Sequence, residues 1–315
     1  MSFTLYYASD IHGSDLMWRK FLNAARFYGT DALIMGGDVS GKAVVPVVHR
    51  GGGWVARQMT GDRVLTQDEL PEVESQIRNQ GFYPYRTTDE ELDETHRDPE
   101  AIHRVFLELM QESLERWLAL AEERLGGTKV RLYLMTGNDD EPVLRDMIRA
   151  SSVAIDPEDD VIDLGEGIQM ASCGWSNRTP WNSPRELDES NLEERLEKLV
   201  ADLDDPSRSV FNFHVPPIRT PIDRAPVLDE TLKPVVKGGA VMMASVGSEA
   251  VRATIERHQP ILALHGHIHE SRGATKIGRT VCINPGSEYN EGILQGAIVE
   301  LDGRKGIKRY QLTSG

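Results

Sequence analysis

The feature that most constrains this chain is how its short apolar runs end. Five runs, at residues 3–8, 32–35, 130–135, 210–213 and 261–264, have the length and composition of buried strands. Asp, Asn or His side chains follow each run closely. In layered α/β folds ligands bind at the carboxyl ends of strands, because loops and backbone groups converge there. The pattern therefore predicts an α/β fold with a polar site assembled from five strand ends.

The strand ends carry short motifs of carboxylate, amide and imidazole groups. They read D-x-H, G-G-D, G-N-D-D, an isolated His and H-G-H-I-H. Oxygen and nitrogen donors without a thiolate favour Mn, Fe, Zn, Ni or Co over a structural cysteine–zinc site. A pair of octahedral ions needs about seven protein ligands, one of them a bridging carboxylate. The candidate metal ligands are Asp10, His12, Asp38, Asn138, His214, His267 and His269.

Amphipathic helices are predicted between the strands. Asp98 and Pro99 form a cap and first turn before a long apolar period that ends near residue 125. Residues 191–203 and 248–257 predict shorter helices. The aromatic stripe around Trp117 is interpreted as core packing. Near the C-terminus, residues 281–283, 296–301 and 307–312 read as strands separated by glycine-containing turns.

One stretch departs from this alternation of strands and helices. About a hundred residues separate Asp38 from Asn138, and residues 60–100 hold 12 acidic but only 4 basic side chains. We predict one domain over residues 1–315, with an acidic insertion or flexible lid at about 43–97. The aromatic side chains of this stretch, which suit docking on the body or on a partner, are Trp54, Phe82, Tyr83 and Tyr85.

Composition limits the partners and the compartment. Against 50 Asp and Glu stand 35 Lys and Arg, for a net charge of −15, which disfavours a general nucleic-acid coat protein. Only Cys173 and Cys282 are present, which fits a reducing compartment. No export signal or span of ~18 apolar residues is visible. A cytoplasmic protein without membrane partners is expected.

The ordered set of five motifs resembles the calcineurin-like metallophosphoesterase superfamily, and the resemblance covers almost the whole chain. The segments FHVPP at 213–217, LHGHIHES at 264–271 and INPGSEY at 283–289 are most similar to bacterial and archaeal phosphoesterases related to the Icc protein. The resemblance implies a four-layer α-β-β-α sandwich, in which two mixed β-sheets are flanked by helices.

The same resemblance implies two ligand sets and a reaction. The first metal would be bound by Asp10, His12, Asp38 and His269. The second would be bound by Asp38, Asn138, His214 and His267. Asp38 would bridge two divalent transition metal ions, with manganese the expected metal. A hydroxide between the ions would attack phosphorus in line, which makes phosphoester hydrolysis the implied reaction.

One position departs from the pattern of the superfamily. After Gly137 and Asn138 the superfamily usually has His followed by Asp or Glu, but this chain has Asp139 and Asp140. An unperturbed Asp is ionised at neutral pH and cannot protonate a leaving group. Either Asp139 has a raised pKa and is itself the acid, or it is a spectator. In the second case a metal-bound water or His265 supplies the proton, or the reaction needs no acid. The candidate catalytic residues are Asp38, Asn138, Asp139 and His265.

Several substrates and roles fit these motifs. Phosphomonoesters, phosphodiesters and nucleotides all suit a dimetal core, and a small phosphorylated substrate is the expected partner. A nuclease acting on DNA or RNA ends is an alternative that requires a local basic groove. A non-catalytic metal-binding scaffold is another, although every ligand position is filled here. Four loop residues are candidates for approaching the site: Asn177, Arg178, Arg219 and Arg224.

Overall fold

The structure, a computed structural model, describes residues 2–58, 61–303 and 305–315. The predicted helices near residues 98–125, 191–203 and 248–257 are confirmed, whereas the first helix is not anticipated by the sequence patterns above. The helices in the described residues are α1 (Asp15–Tyr28), α2 (Leu70–Asn79), α3 (Asp89–Arg97), α4 (Pro99–Leu125), α5 (Pro142–Ala150), α6 (Glu189–Ala201) and α7 (Glu249–His258).

All five predicted strands that end in polar motifs are present, as are the three strands predicted near the C-terminus. In chain order the strands are β1 (Ser2–Ala8), β2 (Ala32–Gly36), β3 (Ala43–Arg50), β4 (Gly53–Gln58), β5 (Gly61–Leu65), β6 (Phe82–Thr87), β7 (Arg131–Met135), β8 (Ala154–Ile155), β9 (Val161–Gly165), β10 (Ile168–Cys173), β11 (Ser176–Asn177), β12 (Glu186–Leu187), β13 (Val210–Phe213), β14 (Arg224–Pro226), β15 (Val236–Lys237), β16 (Ala240–Val241), β17 (Met243–Ser245), β18 (Leu262–Leu264), β19 (Gly273–Ile277), β20 (Thr280–Asn284), β21 (Gln295–Asp302) and β22 (Gly306–Ser314).

Two six-stranded mixed sheets form the centre of the molecule. The first has the order β22-β21-β1-β2-β7-β8, in which β1, β2, β7 and β8 run parallel. The second has the order β19-β20-β18-β13-β10-β9, in which the four central strands run parallel. Antiparallel strands complete both sheets. Within each sheet, the carboxyl ends of the parallel strands therefore lie along one edge.

The two sheets face each other across a hydrophobic core. Leu5 and Tyr7 of β1 lie in this core together with Met170 and Leu262 of the second sheet. Tyr6, between them in the sequence, packs instead in the cluster formed with α1, α4 and α5, as the two-residue period of a strand requires. Helices α6 and α7 cover the outer face of the second sheet. The layers are those of the expected α-β-β-α sandwich.

Helix α4 is the longest of the described helices. The Asp98 side chain accepts a hydrogen bond from the Glu100 backbone N–H and caps its first turn. Trp117 stacks on Trp18 of α1 at a centroid distance of 5.0 Å, so the aromatic stripe is core packing as expected. No helix in the described residues combines the length and the apolar character that crossing a membrane requires.

The acidic stretch at 43–97 is an ordered unit in the residues described. Strands β5-β4-β3-β6 form a four-stranded sheet, and α2 packs on one face around Val47, Val73 and Ile77. Tyr83 is buried in the main body, where its hydroxyl accepts a hydrogen bond from the Gly41 backbone N–H at 2.7 Å. The sheet is therefore anchored to the sandwich beside the end of β2. The division of the chain into domains stays a prediction.

Candidate metal centre

The predicted ligands lie at the carboxyl ends of five strands from the two sheets. Asp10 and His12 follow β1, and Asp38 follows β2. Asn138 follows β7 on the same edge of the first sheet. The second sheet contributes His214 after β13 and the pair His267 and His269 after β18. The topology alone thus accounts for the convergence of residues that are far apart in sequence.

Four of these residues have backbone conformations that side chains rarely adopt. The φ angles are 57° at Asp10, 39° at His12, 52° at Asp38 and 65° at His267. Left-handed backbone at residues other than glycine is unfavourable and clusters at functional sites. The turns after β1, β2 and β18 therefore keep ligand-type side chains where glycine would be more stable.

Asp10, His12 and His269 form the first group. Their candidate ligand atoms all lie within 4.8 Å of one another. The Nε2 atoms of His12 and His269 are 3.0 Å apart, and Nε2 of His269 is 3.5 Å from Oδ1 of Asp10. The imidazole nitrogens of buried His12 and partly exposed His269 thus converge on one point with a buried carboxylate, which suits a cation better than a structural hydrogen-bond network.

Asp38, His214 and His267 form the second group, again with ligand atoms within 4.8 Å of one another. Nε2 of His214 is 3.4 Å from Oδ1 of Asp38 and 3.1 Å from Oδ1 of Asn138. The other carboxylate oxygen of Asp38 lies 3.8 Å from Nε2 of His12, in the first group. Asp38 therefore stands between the two groups with one oxygen towards each.

The donor set fits divalent cations of the first transition row. Carboxylate oxygen, amide oxygen and imidazole nitrogen are their usual protein ligands. Neither cysteine belongs to these groups, and burial raises the pKa of both Cys173 and Cys282 to about 12. We therefore treat these residues as a candidate site for divalent metal ions whose element the donor set leaves open.

Two glycines of the motifs are required because ligand carboxylates approach them closely. A Cβ atom on Gly137 would lie 2.1 Å from Oδ1 of Asp38. A Cβ atom on Gly266 would lie 2.3 Å from Oδ2 of Asp10. Contacts this short do not occur between real atoms, so any other residue would displace the carboxylates. The glycines of the G-N and G-H motifs thus leave room for the ligand side chains.

Asp140 links two ligand-bearing turns. One of its carboxylate oxygens accepts hydrogen bonds from the backbone N–H groups of Val39 and Gly137 at 3.0 and 2.7 Å. The other accepts from the backbone N–H and hydroxyl of Ser40 at 2.8 and 2.6 Å. Because Asp38 and Asn138 adjoin these donors, Asp140 sets the distance between two candidate ligands.

Arg185 supports the Asn138 turn from the opposite side. Its backbone N–H donates to the Asn138 carbonyl at 3.1 Å, and its guanidinium donates to the Gly137 carbonyl at 3.0 Å. The same guanidinium forms a buried ion pair with both carboxylate oxygens of Glu158. Glu158 in turn accepts from the Gly174 backbone N–H at 3.1 Å, so this pair connects the ends of the two sheets. The sequence offers no motif for either residue.

His265 is buried beside the centre and contacts the backbone around His214. Its Nδ1 is 2.8 Å from the Phe213 carbonyl and 3.1 Å from the Val215 carbonyl, on either side of His214. Burial lowers the pKa of His265 to about 4, so the ring is neutral. This geometry supports a role in positioning His214 rather than in protonating a leaving group, although the role of His265 stays a prediction.

Asp139 makes contacts that sequence reasoning missed. Its carboxylate lies 2.9 Å from Nζ of Lys42 and accepts hydrogen bonds from the Ser183 hydroxyl at 2.6 Å and the Asn138 amide at 2.9 Å. Burial favours the neutral acid, but Lys42 and Ser183 outweigh it and lower the pKa of Asp139 to about 2. An ionised carboxylate favours the spectator role over the acid role. The only sequence signal for Lys42 is that it lies four residues after Asp38.

Charges inside the centre shift other pKa values in opposite directions. Burial opposes ionisation of Asp10, but the facing imidazoles of His269, His214 and His12 hold its pKa well below the usual range. Burial raises the pKa of Asp38. Burial favours neutral His214, yet the carboxylates of Asp38 and Asp10 raise the pKa of His214 to about 9. Opposed shifts within one cluster are typical of functional sites.

The four candidate loop residues are engaged elsewhere. Arg178 lies 3.0 Å from the Asp188 carboxylate, and Arg219 forms a two-point ion pair with Glu249. Arg224 donates to the Met243 carbonyl at 2.7 Å. The Asn177 amide reaches the carbonyls of residues 246 and 247 at 3.4 Å. Arg178 and Arg219 are thus neutralised by carboxylates, and the groups of Asn177 and Arg224 hold surface loops together through backbone carbonyls.

Comparison with known proteins gives one partial sequence relative. No family profile matches the chain. An uncharacterised protein of Methanocaldococcus jannaschii, MJ1162, is 32% identical over 159 residues, which are 50% of this chain and 64% of that protein. The alignment thus spans less than two thirds of the relative's own length.

Solved structures match over the full length. TT1561 of Thermus thermophilus aligns with 100% of this chain and 99% of its own at a TM-score of 0.53 and 14% identity. The chain shares the overall fold of that structure. The two mixed sheets flanked by helices, which the resemblance to the calcineurin-like superfamily implies, are confirmed. The closer likeness to Icc-related phosphoesterases stays a prediction.

A more distant match carries an activity in its description. The structure of a novel archaeal phosphodiesterase aligns with 99% of both chains at 11% identity and a TM-score of 0.33. That likeness is too remote to assign its activity to this chain.

Proposed function

We propose that this chain is a phosphoester hydrolase that works with two divalent metal ions. The observation that carries the proposal is the position of Asp38. Its two oxygens lie 3.8 Å from His12 and 3.4 Å from His214, one imidazole of each ligand group. A carboxylate so placed is suited to bridge two cations about 3.5–4 Å apart.

The ligand assignment follows from the two groups. Asp10, His12, Asp38 and His269 would hold one ion. Asp38, Asn138, His214 and His267 would hold the other, with manganese the expected metal and iron, zinc, nickel or cobalt the alternatives. When bound, two such ions supply an activated water and positive charge that stabilises phosphoryl oxygens.

The protein's own contribution is to hold these groups rigidly. Asp140 and Arg185 hold the turns of Asp38 and Asn138 at a set separation through backbone hydrogen bonds. The Asp10 carboxylate accepts from the His267 backbone N–H at 3.0 Å, which connects the first sheet to the second. Preorganised groups of this kind need no rearrangement when charge develops on the substrate.

A small phosphoester is favoured over a nucleic acid. The net charge is −15, and Arg178 and Arg219 are neutralised by Asp188 and Glu249. A nuclease would need a continuous positive track beside the metals to bind the phosphate backbone. The non-catalytic scaffold is disfavoured because every predicted ligand position carries a metal-binding side chain at the expected strand end.

The test is a substrate panel run with Mn²⁺ and with a chelated control. The panel contains phosphomonoesters, cyclic nucleotides, dinucleotides and single-stranded DNA. We expect metal-dependent hydrolysis of small esters and little cleavage of DNA. Asp38→Ala should abolish the reaction, and Asp62→Ala, an exposed carboxylate on β5, is the matched control. A folded, metal-loaded protein that hydrolyses none of the panel would reject the proposal in favour of a scaffold.

A further inference from the structure

Lys42 is a cation beside the metal centre. It follows β2 and pairs with Asp139 at 2.9 Å, and the Asp139 backbone N–H donates to Oδ1 of Asp38 at 3.0 Å. Burial would lower the pKa of Lys42, but Asp139, Asp38 and Tyr289 raise it, so the ammonium group stays charged. The Lys42 side chain is still 45% exposed, so its ammonium group remains accessible to a ligand.

The same lysine lines a cavity of about 440 Å³. The cavity lies between the small sheet and helices α3 and α4, and most of its walls are apolar. Its walls include Val44, Pro46, Tyr85, Ile102 and Phe106. A volume of this size is within the range of small-molecule sites, which are mostly apolar with a few polar groups. The Lys42 side chain thus connects the metal centre to an apolar cavity.

We propose that this cavity binds the organic group of the substrate, and that Lys42 binds the phosphoryl group between the cavity and the metal centre. The proposal rests on the proposed function and narrows it. The substrate class is a phosphoester whose organic group is uncharged and apolar or aromatic.

The composition of the cavity wall supports an uncharged organic group. Helix α3 contributes Leu92, Thr95 and His96 to the wall, and its five acidic residues do not line the cavity. Lys42 supplies an ammonium group for a single phosphoryl group, whereas most of the other lining side chains are apolar. A substrate with further phosphates would have to bury them against these apolar walls, so nucleotides with several phosphates and oligonucleotides are poor candidates.

The experiment compares two esters and two matched pairs of variants in the metal-loaded protein. The esters are 1-naphthyl phosphate, which is apolar, and glycerol 2-phosphate, which is small and polar. Ile102→Glu places a charge in the cavity wall at a side chain that is 43% exposed. Ile155→Glu, at 41% exposure on β8, makes the same change elsewhere. Ile102→Glu should raise KM for the naphthyl ester about tenfold and leave KM for the glycerol ester unchanged.

Lys42→Met separates the contribution of the ammonium group from that of the apolar part of the lysine side chain. Methionine keeps an apolar side chain at the cavity wall and removes the ammonium group. KM should therefore rise about tenfold or more for both esters. Lys308→Met, which removes a lysine paired with Glu300 at 2.6 Å, is the matched control and should change neither value.

A binding measurement on metal-free protein separates this inference from the proposed function. Uncharged 1-naphthol should bind the wild-type chain and Lys42→Met, and Ile102→Glu should weaken its binding about tenfold by equilibrium dialysis. Equal binding to wild type and Ile102→Glu would overturn the cavity assignment even if esters are hydrolysed. Absence of all hydrolysis with naphthol still bound would overturn the proposed function instead.

One competing surface makes the test stricter. Trp181 is 62% exposed and lies two residues before Ser183, which contacts Asp139. An aromatic organic group stacked on Trp181 would be bound outside the cavity. Trp181→Ala should therefore leave KM for 1-naphthyl phosphate unchanged. A rise in that variant, with Ile102→Glu unaffected, would assign the organic group to Trp181 and overturn the inference.

Discussion

Two ion pairs flank the turn that carries Asn138, and they differ in how far water reaches them. The side chains of Arg185 and Glu158 are 5% and 0% exposed, whereas those of Lys42 and Asp139 are 45% and 26% exposed. The buried pair connects backbone groups at the ends of two sheets. The accessible pair contains Lys42, which we propose to contact the substrate. The two ion pairs are thus similar in chemistry but differ in proposed role. The buried pair holds the turn rigid, and the accessible pair contacts a ligand.

The largest effect is expected from breaking the buried pair. Arg185→Met leaves the Glu158 carboxylate buried without its main partner, and the free energy of unfolding should fall by about 3 kcal/mol, the lower end for such a loss. Arg145, 3.5 Å from Glu158, supplies some compensation. Lys42→Met should cost less than about 1 kcal/mol, because its pair is accessible to solvent. Urea unfolding measures both, and equal losses would refute the distinction between the pairs.

Removing the carboxylate between the two ligand groups should have the largest effect on activity. Asp38→Ala eliminates the proposed bridge, and hydrolysis of small phosphoesters should fall more than about 100-fold. The measurement is kcat/KM with excess Mn²⁺, so that weakened metal binding alone is compensated. Activity within a few-fold of wild type would exclude Asp38 as the bridging residue.

Metal binding should distinguish the accessible pair from the ligands. Mn²⁺ at about 100 times its Kd should add about 2.7 kcal/mol to the free energy of unfolding of wild type. Lys42→Met should keep this gain, because Lys42 is not a proposed ligand. Asp38→Ala should lose most of it. A gain that disappears in Lys42→Met would place the lysine in the metal site rather than in the substrate site.

The smallest effect is expected from neutralising the accessible carboxylate. Asp139→Asn keeps an oxygen that accepts from Lys42 and Ser183, so hydrolysis should change by no more than about threefold. Activated aryl esters should be hydrolysed better than alkyl esters by both forms, since neither side chain donates a proton from this position. Comparing aryl and alkyl rates in wild type and Asp139→Asn tests this. Selective loss of alkyl-ester hydrolysis with normal metal content would make Asp139 the acid.

The sequence predicts those parts of the centre that depend on strand order. Asp10 and Asp38 each follow an apolar run, and parallel pairing of β1 with β2 brings them to one edge of the first sheet. His214 follows an apolar run in the second sheet, which faces the first across the core. Helix α4 is predicted with its cap for a similar reason, since its period and its Asp98–Pro99 start are local features.

The residues that sequence patterns miss depend on packing between loops. Lys42, Ser183 and Arg185 contact the centre from segments without a motif, and a solvated lysine or arginine has the same sequence appearance as one that pairs with Asp139 or Glu158. The sequence patterns likewise do not predict the ordered sheet within residues 43–97, because many residues of that stretch are charged. Its apolar positions serve a small separate core whose partners are set by the fold.

The left-handed turns have a consequence for how such a chain changes over generations. An L-residue in this conformation costs about 1–2 kcal/mol relative to one in a right-handed conformation. Asp10, His12, Asp38 and His267 each bear that cost, and glycine would relieve it. Glycine at any of the four should therefore stabilise the fold while removing a proposed metal ligand. The proposed metal binding thus accounts for four side chains that folding alone does not favour.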